Sequence, residues 1–256
     1  MRAILKICSQ IEGHLHILYH LVCDVKDIDH ALLISNRRLP SPTYNHATKV
    51  NVKESEIDKL IADVASYYES MRLKPCFTVS PTTRPSTFSR FLLKAGFKLM
   101  SEDDAMVYKG KNKDFKPNPE VKVTIDDGSL TDVWTDVSMK GFGIPLILRD
   151  AFIDMYKKAS QDKGAKAYLG YFQGKPAGSC ALCSFNSIGG IFTVATVPEY
   201  RRKGVALALL CKAIADSFSV GNSLLYLITT KGSDAERLYR SLGFEVAYTQ
   251  YRYEFQ

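Results

Sequence analysis

One tryptophan stands in 256 residues, and no run reaches the roughly 18 consecutive apolar residues that a membrane-crossing helix needs. At the amino end, MRAILKICSQIEGHLHILYHLVCDV opens with an early arginine. Lys6, Gln10, Glu12, His14 and His16 interrupt every stretch long enough for a secretory hydrophobic region. A cytoplasmic protein without membrane contact is therefore expected. Cysteine is sparse, with six residues (Cys8, Cys23, Cys76, Cys180, Cys183 and Cys211) lacking the density of a disulfide scaffold, so reduced thiols are expected. Cys180 and Cys183 have CxxC spacing, yet they lie in strand-like sequence, where positions three apart face opposite sides. No second Cys/His pair follows, which argues against a zinc or redox site. His14, His16 and His20 lack a Cys or carboxylate partner at matching spacing and read as core-edge histidines, so no metal is expected.

Long runs of one charge are missing too. The formal charge of +7 and pI near 9.0 come from scattered Lys and Arg. Nucleic acid is not the expected partner; an acidic cofactor would exploit the same bias. Apolar residues make up 46% and charged residues 24%, the balance of an ordinary globular chain.

Charge, glycine and two prolines displace any apolar period at 109–119 (KGKNKDFKPNP), which reads as a linker. It divides the chain into domains 1–108 and 120–256, both of ordinary domain size. In the second, 121–125 alternates as an opening strand, and helices are predicted around 130–140 and 146–159. Strands follow at 167–172, 177–185 and 191–196, then a helix over 204–219, a strand at 224–228, a short helix at 234–242 and a final strand at 246–255. The order βααβββαβαβ predicts an α/β fold, a mixed sheet covered by helices. The first domain repeats the later half of this plan, with helices at 54–71 and 86–94 and strands at 76–80 and 97–108. RFLLKAGF at 90–97 parallels RLYRSLGF at 237–244, and Ser86 and Ser233 each stand ten residues before the glycine of that pattern.

The chemistry concentrates at 201–207. Arg201, Arg202, Lys203, Gly204, Val205, Ala206 and Leu207 join a strand to a helix, where free backbone N–H groups and the helix dipole attract negative charge. Gly204 would let the backbone approach phosphate oxygens, Ala206 would keep the helix start close to its neighbours, and the three cations add charge. By itself RxxGxA also suits a solvated basic turn.

With the strand before it, this loop resembles that of the GNAT (GCN5-related) N-acetyltransferases, whose loop reads Arg or Gln, two residues, Gly, one residue, Gly or Ala. Arg201, Gly204 and Ala206 match it, and Val197 to Arg201 and Ala235 to Phe244 resemble the flanking family sequence. The resemblance covers roughly 120–256 and implies an acyl-CoA N-acyltransferase fold, with a degenerate copy in tandem at 1–108. It further implies transfer of an acetyl group from acetyl-CoA to a primary amine by direct attack, with no metal. Val194, Ala195 and Thr196 would hold the pantetheine arm, and an amide near Thr196 would polarise the thioester carbonyl. Tyr239, four residues before Gly243, stands at the family's general-acid position for protonating the leaving thiolate. The Asn that many relatives place seven residues before that tyrosine is Gly232 here, leaving its contact missing or supplied by Ser233.

No general base is assigned. Glu199, Asp154 and Thr229 stay open beside surface or packing roles for each. Trp134 reads first as core and second as lining of the acceptor cleft. Leu92 occupies the position in the first domain that Tyr239 holds in the second, and the segment 49–55 ahead of its long helix has no glycine. That domain is therefore expected to support the active one, shape its cleft or mediate a homodimer. A non-catalytic acyl-CoA-binding or partner-binding module is the alternative to the enzyme.

Overall fold

Residues 2–110 and 115–256 are described by the computed structural model. Of the expected linker, 111–114 lie outside the described residues.

The first half of the chain runs α1 (Arg2–Val22), β1 (Asp24–Ile28), β2 (Ala31–Ser35), β3 (His46–Thr48), α2 (Ile57–Ser70), β4 (Cys76–Val79), α3 (Phe88–Lys94) and β5 (Phe97–Tyr108). The second half runs β6 (Val121–Ile125), α4 (Thr131–Phe142), α5 (Arg149–Ser160), β7 (Ala165–Phe172), β8 (Lys175–Phe185), β9 (Ile188–Thr196), α6 (Val205–Ser219), β10 (Leu224–Thr230), α7 (Asp234–Leu242) and β11 (Phe244–Phe255). The βααβββαβαβ order of the second half is the one its apolar periods predict. In the first half, α1 and β1 to β3 went unread, and the helix expected from Glu54 begins with a 3-10 turn at Glu54–Glu56.

Two compact units result, and neither is a continuous stretch of chain. The first comprises Met1–Met106, Ile228–Arg237 and Val246–Gln256; the second comprises Val107–Leu227 and Leu238–Glu245. Residues 246–256, expected in the second domain, fall in the first unit because β11 pairs antiparallel with β4, Tyr253 opposite Phe77 and Tyr251 opposite Val79.

Strand order in the first unit is β1-β2-β3-β4-β11-β5. β1, β2 and β3 are antiparallel, and β3 meets β4 in parallel at Ala47 and Phe77. Its core gathers Leu60, Val64 and Tyr68 of α2, Phe88 and Leu92 of α3, and Phe77, Phe97 and Tyr253 of the sheet. The ring of Phe77 contacts those of Phe88 and Phe97 edge-on, with centroids 5.4 Å apart in each case.

In the second unit the order is β10-β9-β8-β7-β6. Only β9 with β10 is parallel; the other pairs are antiparallel. Helix α6 lies close on β8, where a Cβ added to Gly178 would sit 2.6 Å from Val205 Cγ1. Beneath α6, the buried Tyr168 hydroxyl donates to Asp216 at 3.0 Å, and Lys212 pairs with the same carboxylate at 2.8 Å. A second cluster packs Trp134, Val137 and Tyr156 onto Leu169 and Val197.

Candidate active site

The site begins with a strand that leaves its neighbour. β9 and β10 pair from Ile188 opposite Leu224 to Ile191 opposite Leu227, and the parallel ladder ends there. On the other edge of β9, Phe192 faces Ala181 and Ala195 faces Ser179, so Thr193 and Val194 together oppose Cys180. That is a β-bulge, and Thr193 takes up the extra residue with φ 51°. A β-branched residue rarely accepts positive φ, so the surrounding structure must hold it there. The Thr193 hydroxyl is buried without a hydrogen-bond partner among the described residues. Val194 and Thr196 are half-buried and Ala195 is buried.

Beyond β9 the chain turns at Pro198–Tyr200 and passes through Arg202 at φ 63° and Gly204 at φ 81° into α6. Both residues are left-handed, and Gly204 is the helix N-cap, with no side chain bonded to the open amides of the first turn. Those amides, from Val205, Ala206 and Leu207, stand at the positive end of the helix dipole. Arg202 and Lys203 are exposed beside them.

Arg201, also exposed, has a second engagement. Its Nη2 donates to the Gly141 carbonyl at 3.0 Å and its Nε to the Thr196 carbonyl at 3.4 Å, tying the end of α4 to the end of β9. Asn118 was missed in the sequence, because an Asn-Pro pair in a linker carries no signal of its own. Its side-chain amide donates to the Lys203 carbonyl at 2.9 Å, while its Oδ1 accepts the Glu120 N–H at 3.0 Å. A Cβ on Gly204 would approach Asn118 Cβ to 3.2 Å. The loop is thus held from both sides.

Tyr239 is 6% exposed, with the ring of Phe244 edge-on at 6.1 Å. Burial pushes its phenol well above the ordinary tyrosine value, and the nearby Cys180 thiol acts in the same direction. The group is therefore protonated at neutral pH and has a proton to give. Cys180 is the residue opposite the bulge of β9, which puts the phenol in the neighbourhood of that irregular strand.

The remaining candidates separate. Trp134 is core: it stacks on Tyr156 with centroids 4.4 Å apart and donates its indole N–H to the Cys180 carbonyl at 3.3 Å. Ser233 belongs to the first unit and accepts the Glu236 N–H at 3.1 Å, while Glu236 takes the Gly232 N–H. Ser233 thus caps the start of α7, which occupies its hydroxyl. Glu199 is exposed and bonded to Lys140 at 2.7 Å, which holds its carboxyl below the usual range and makes it a weaker base. Asp154 is exposed on α5, and Thr229 lies 3.4 Å from the Ser233 hydroxyl. Cys180 and Cys183 are both buried, and burial pushes the Cys183 thiol up to about 12.

Residues 133–244 match the acetyltransferase (GNAT) family. No curated protein matches the sequence. Among solved structures, a GCN5-related N-acetyltransferase from Kribbella flavida superposes with a TM-score of 0.73 at 15% identity, over 99% of this chain and 95% of that one. One from Sphaerobacter thermophilus gives 0.67 at 15% identity, over 88% and 80%. A tandem GNAT protein from the clavulanic acid biosynthesis pathway gives 0.55 at 14% identity, over 82% and 75%. At these identities the superpositions speak for the fold.

Proposed function

From the match of residues 133–244 to the acetyltransferase (GNAT) family, we propose that this chain is an acyltransferase that moves an acetyl group from acetyl-CoA to a primary amine by direct attack. The observation that carries the reading is the departure of β9 from β10 beside an uncapped helix start. A strand with one unpaired edge offers main-chain groups to an extended pantetheine arm, as a further strand would. Two features of the site suit coenzyme A. Gly204 leaves the cradle free of a Cβ in front of the α6 amides, and the buried Thr193 hydroxyl on β9 lacks a partner among the described residues.

Val194, Ala195 and Thr196 would bind the arm, and an amide near Thr196 would polarise the thioester carbonyl. Arg202, Lys203 and the amides of Val205, Ala206 and Leu207 would take the pyrophosphate; Arg201 and Asn118 set the shape of the loop. Tyr239 would donate its proton to the departing thiolate, which as a free thiol has a pKa of about 8.5. The amine must arrive neutral, since an ammonium has no lone pair.

We read residues 1–108 as a copy without this equipment. Leu92, fully buried, stands where Tyr239 does, and the helix-ending Gly96 and Gly243 share left-handed φ values of 91° and 98°. A leucine can pack there but cannot protonate a thiolate.

The test is acetyl-CoA binding together with thiol release against a panel of amines, in wild type and in Tyr239→Phe. Turnover in Tyr239→Phe should fall by about 10²–10⁴-fold with acetyl-CoA affinity kept. Unchanged turnover across pH would remove Tyr239 from the mechanism, and absence of acetyl-CoA binding would remove the reading altogether.

A further inference from the structure

The face of the first unit's sheet that α1 covers is polar where a core should be apolar. Leu32 of β2 pairs with Thr48 of β3, and Thr78 of β4 pairs with Arg252 of β11. The parallel register of Ala47 with Phe77 brings the two pairs into one cross-strand row, so their side chains share a face. Glu12, Leu15, His16 and Tyr19 of α1, at helical spacing, close a cavity over that row, with Lys49 at its lining. It leaves about 20 Å³ for the centres of water-sized groups. That exceeds the ~10–15 Å³ one water needs and is room for about one to two water-sized groups, the size of a carboxylate's two oxygens.

Among the described residues, three buried side-chain polar atoms of this lining lack a hydrogen-bond partner: Thr78 Oγ1, Arg252 Nε and His16 Nδ1. Thr78 is only 6% exposed. Buried polar groups are nearly always bonded, so three orphans in one cavity call for an occupant.

Their chemistry states which kind. Arg252 Nε can only donate, and the Thr78 hydroxyl is free to donate beside it. Glu12, the acid of the lining, is already engaged: its carboxylate accepts Ser80 at 2.6 Å and Thr82 at 2.7 and 2.8 Å. Burial and then the Lys49 charge depress the His16 imidazole, and burial followed by Arg252 does the same to His46, which is held down to about 3. Both rings are then neutral, and Lys49 and Arg252 outnumber Glu12. Asp103 stands 3.9 Å from Arg252 through Nη2, leaving Nε to the cavity.

We propose that this cavity between α1 and the sheet of the first unit is a binding site for a small carboxylate, seated on Arg252 and Thr78. It is independent of the acyl-transfer reading, because the second unit contributes none of its lining.

The test uses the full chain and titrates acetate and formate at constant ionic strength, against chloride and inorganic phosphate, following heat of binding and Tm. Saturable carboxylate binding is expected, with a Tm that rises with concentration as for any ligand selective for the native state. Thr78→Val, which keeps the shape and removes the orphan hydroxyl, should weaken binding at least tenfold without lowering the ligand-free Tm; Tyr239→Phe should leave it unchanged. Should Thr78→Val not fold, His16→Gln is expected to weaken binding in the same way. Absence of saturable binding, equal responses to chloride or phosphate, loss in Tyr239→Phe, or undiminished affinity in the cavity variant would each overturn the proposal.

Discussion

Gly141 of α4 lies against Ala195 of β9 so closely that a Cβ on the glycine would fall 2.7 Å from the alanine methyl. Helix propensity favours alanine over glycine in a helix by about 1 kcal/mol. The overlap opposes it, since forcing extra atoms into a packed interface costs about 1–3 kcal/mol. Gly141→Ala should therefore lower Tm by a few degrees on thermal unfolding. Because the displaced segment is the end of β9, acetyl-transfer turnover should fall more than stability does. A higher Tm with unchanged turnover would show that the contact relaxes at no cost.

Gly204 and Asn118 make a paired prediction for the loop. At φ 81° an alanine would carry left-handed strain of roughly 1–2 kcal/mol as well as the 3.2 Å approach to Asn118. Gly204→Ala should weaken acetyl-CoA binding about tenfold in a calorimetric titration. Asn118→Ala removes the hydrogen bond to the Lys203 carbonyl together with the one from the Glu120 N–H; the former alone, worth about 0.5–1.5 kcal/mol, gives an expected loss of about 2–10-fold.

Tyr168 and Asp216 give a thermodynamic cycle under α6. Asp216→Ala leaves the fully buried Tyr168 hydroxyl without its acceptor and should cost about 1–3 kcal/mol in denaturant unfolding. Adding Tyr168→Phe removes the orphan, so the double variant should lose less than the sum of the two single changes.

His46 sets the acid side of the stability profile. Burial, with the Arg252 charge as the second cause, lowers its imidazole to about 3 in the folded chain, against about 6.5 when unfolded. The folded state thus favours the neutral ring. Its contribution is complete above the unfolded value and is lost as pH falls from about 6.5 toward 3. Tm should decline across that window, and His46→Gln, which has no proton to gain, should flatten the slope between pH 6.5 and 4.5.

The basic loop and the LYxxxGF helix were legible because each is local: glycine, alanine and tyrosine stand at fixed distances from a strand or a helix end. The bulge was not, since Thr193 at positive φ contradicts the preference of its own residue type. Helix α1 escaped for a different reason. Its apolar stripe is present, but Glu12, His14 and His16 are set into it among Ile11, Leu15 and Tyr19, so the segment reads as an interrupted apolar run. β3 is three residues long, too short for any alternation to show. The pairing of β11 with β4 joins residues far apart in sequence, and periodicity carries no information on partners at that distance.

That pairing also bears on how the protein is made. Residues 246–256 are made after all the other segments of the first unit, yet they supply the strand that lies between β4 and β5 there. Domains generally fold as they emerge, amino end first. Here β4 must wait, with its edge around Phe77 and Val79 open, until β11 has been translated, about 170 residues later. A premature stop anywhere before β11 would damage the half already synthesised.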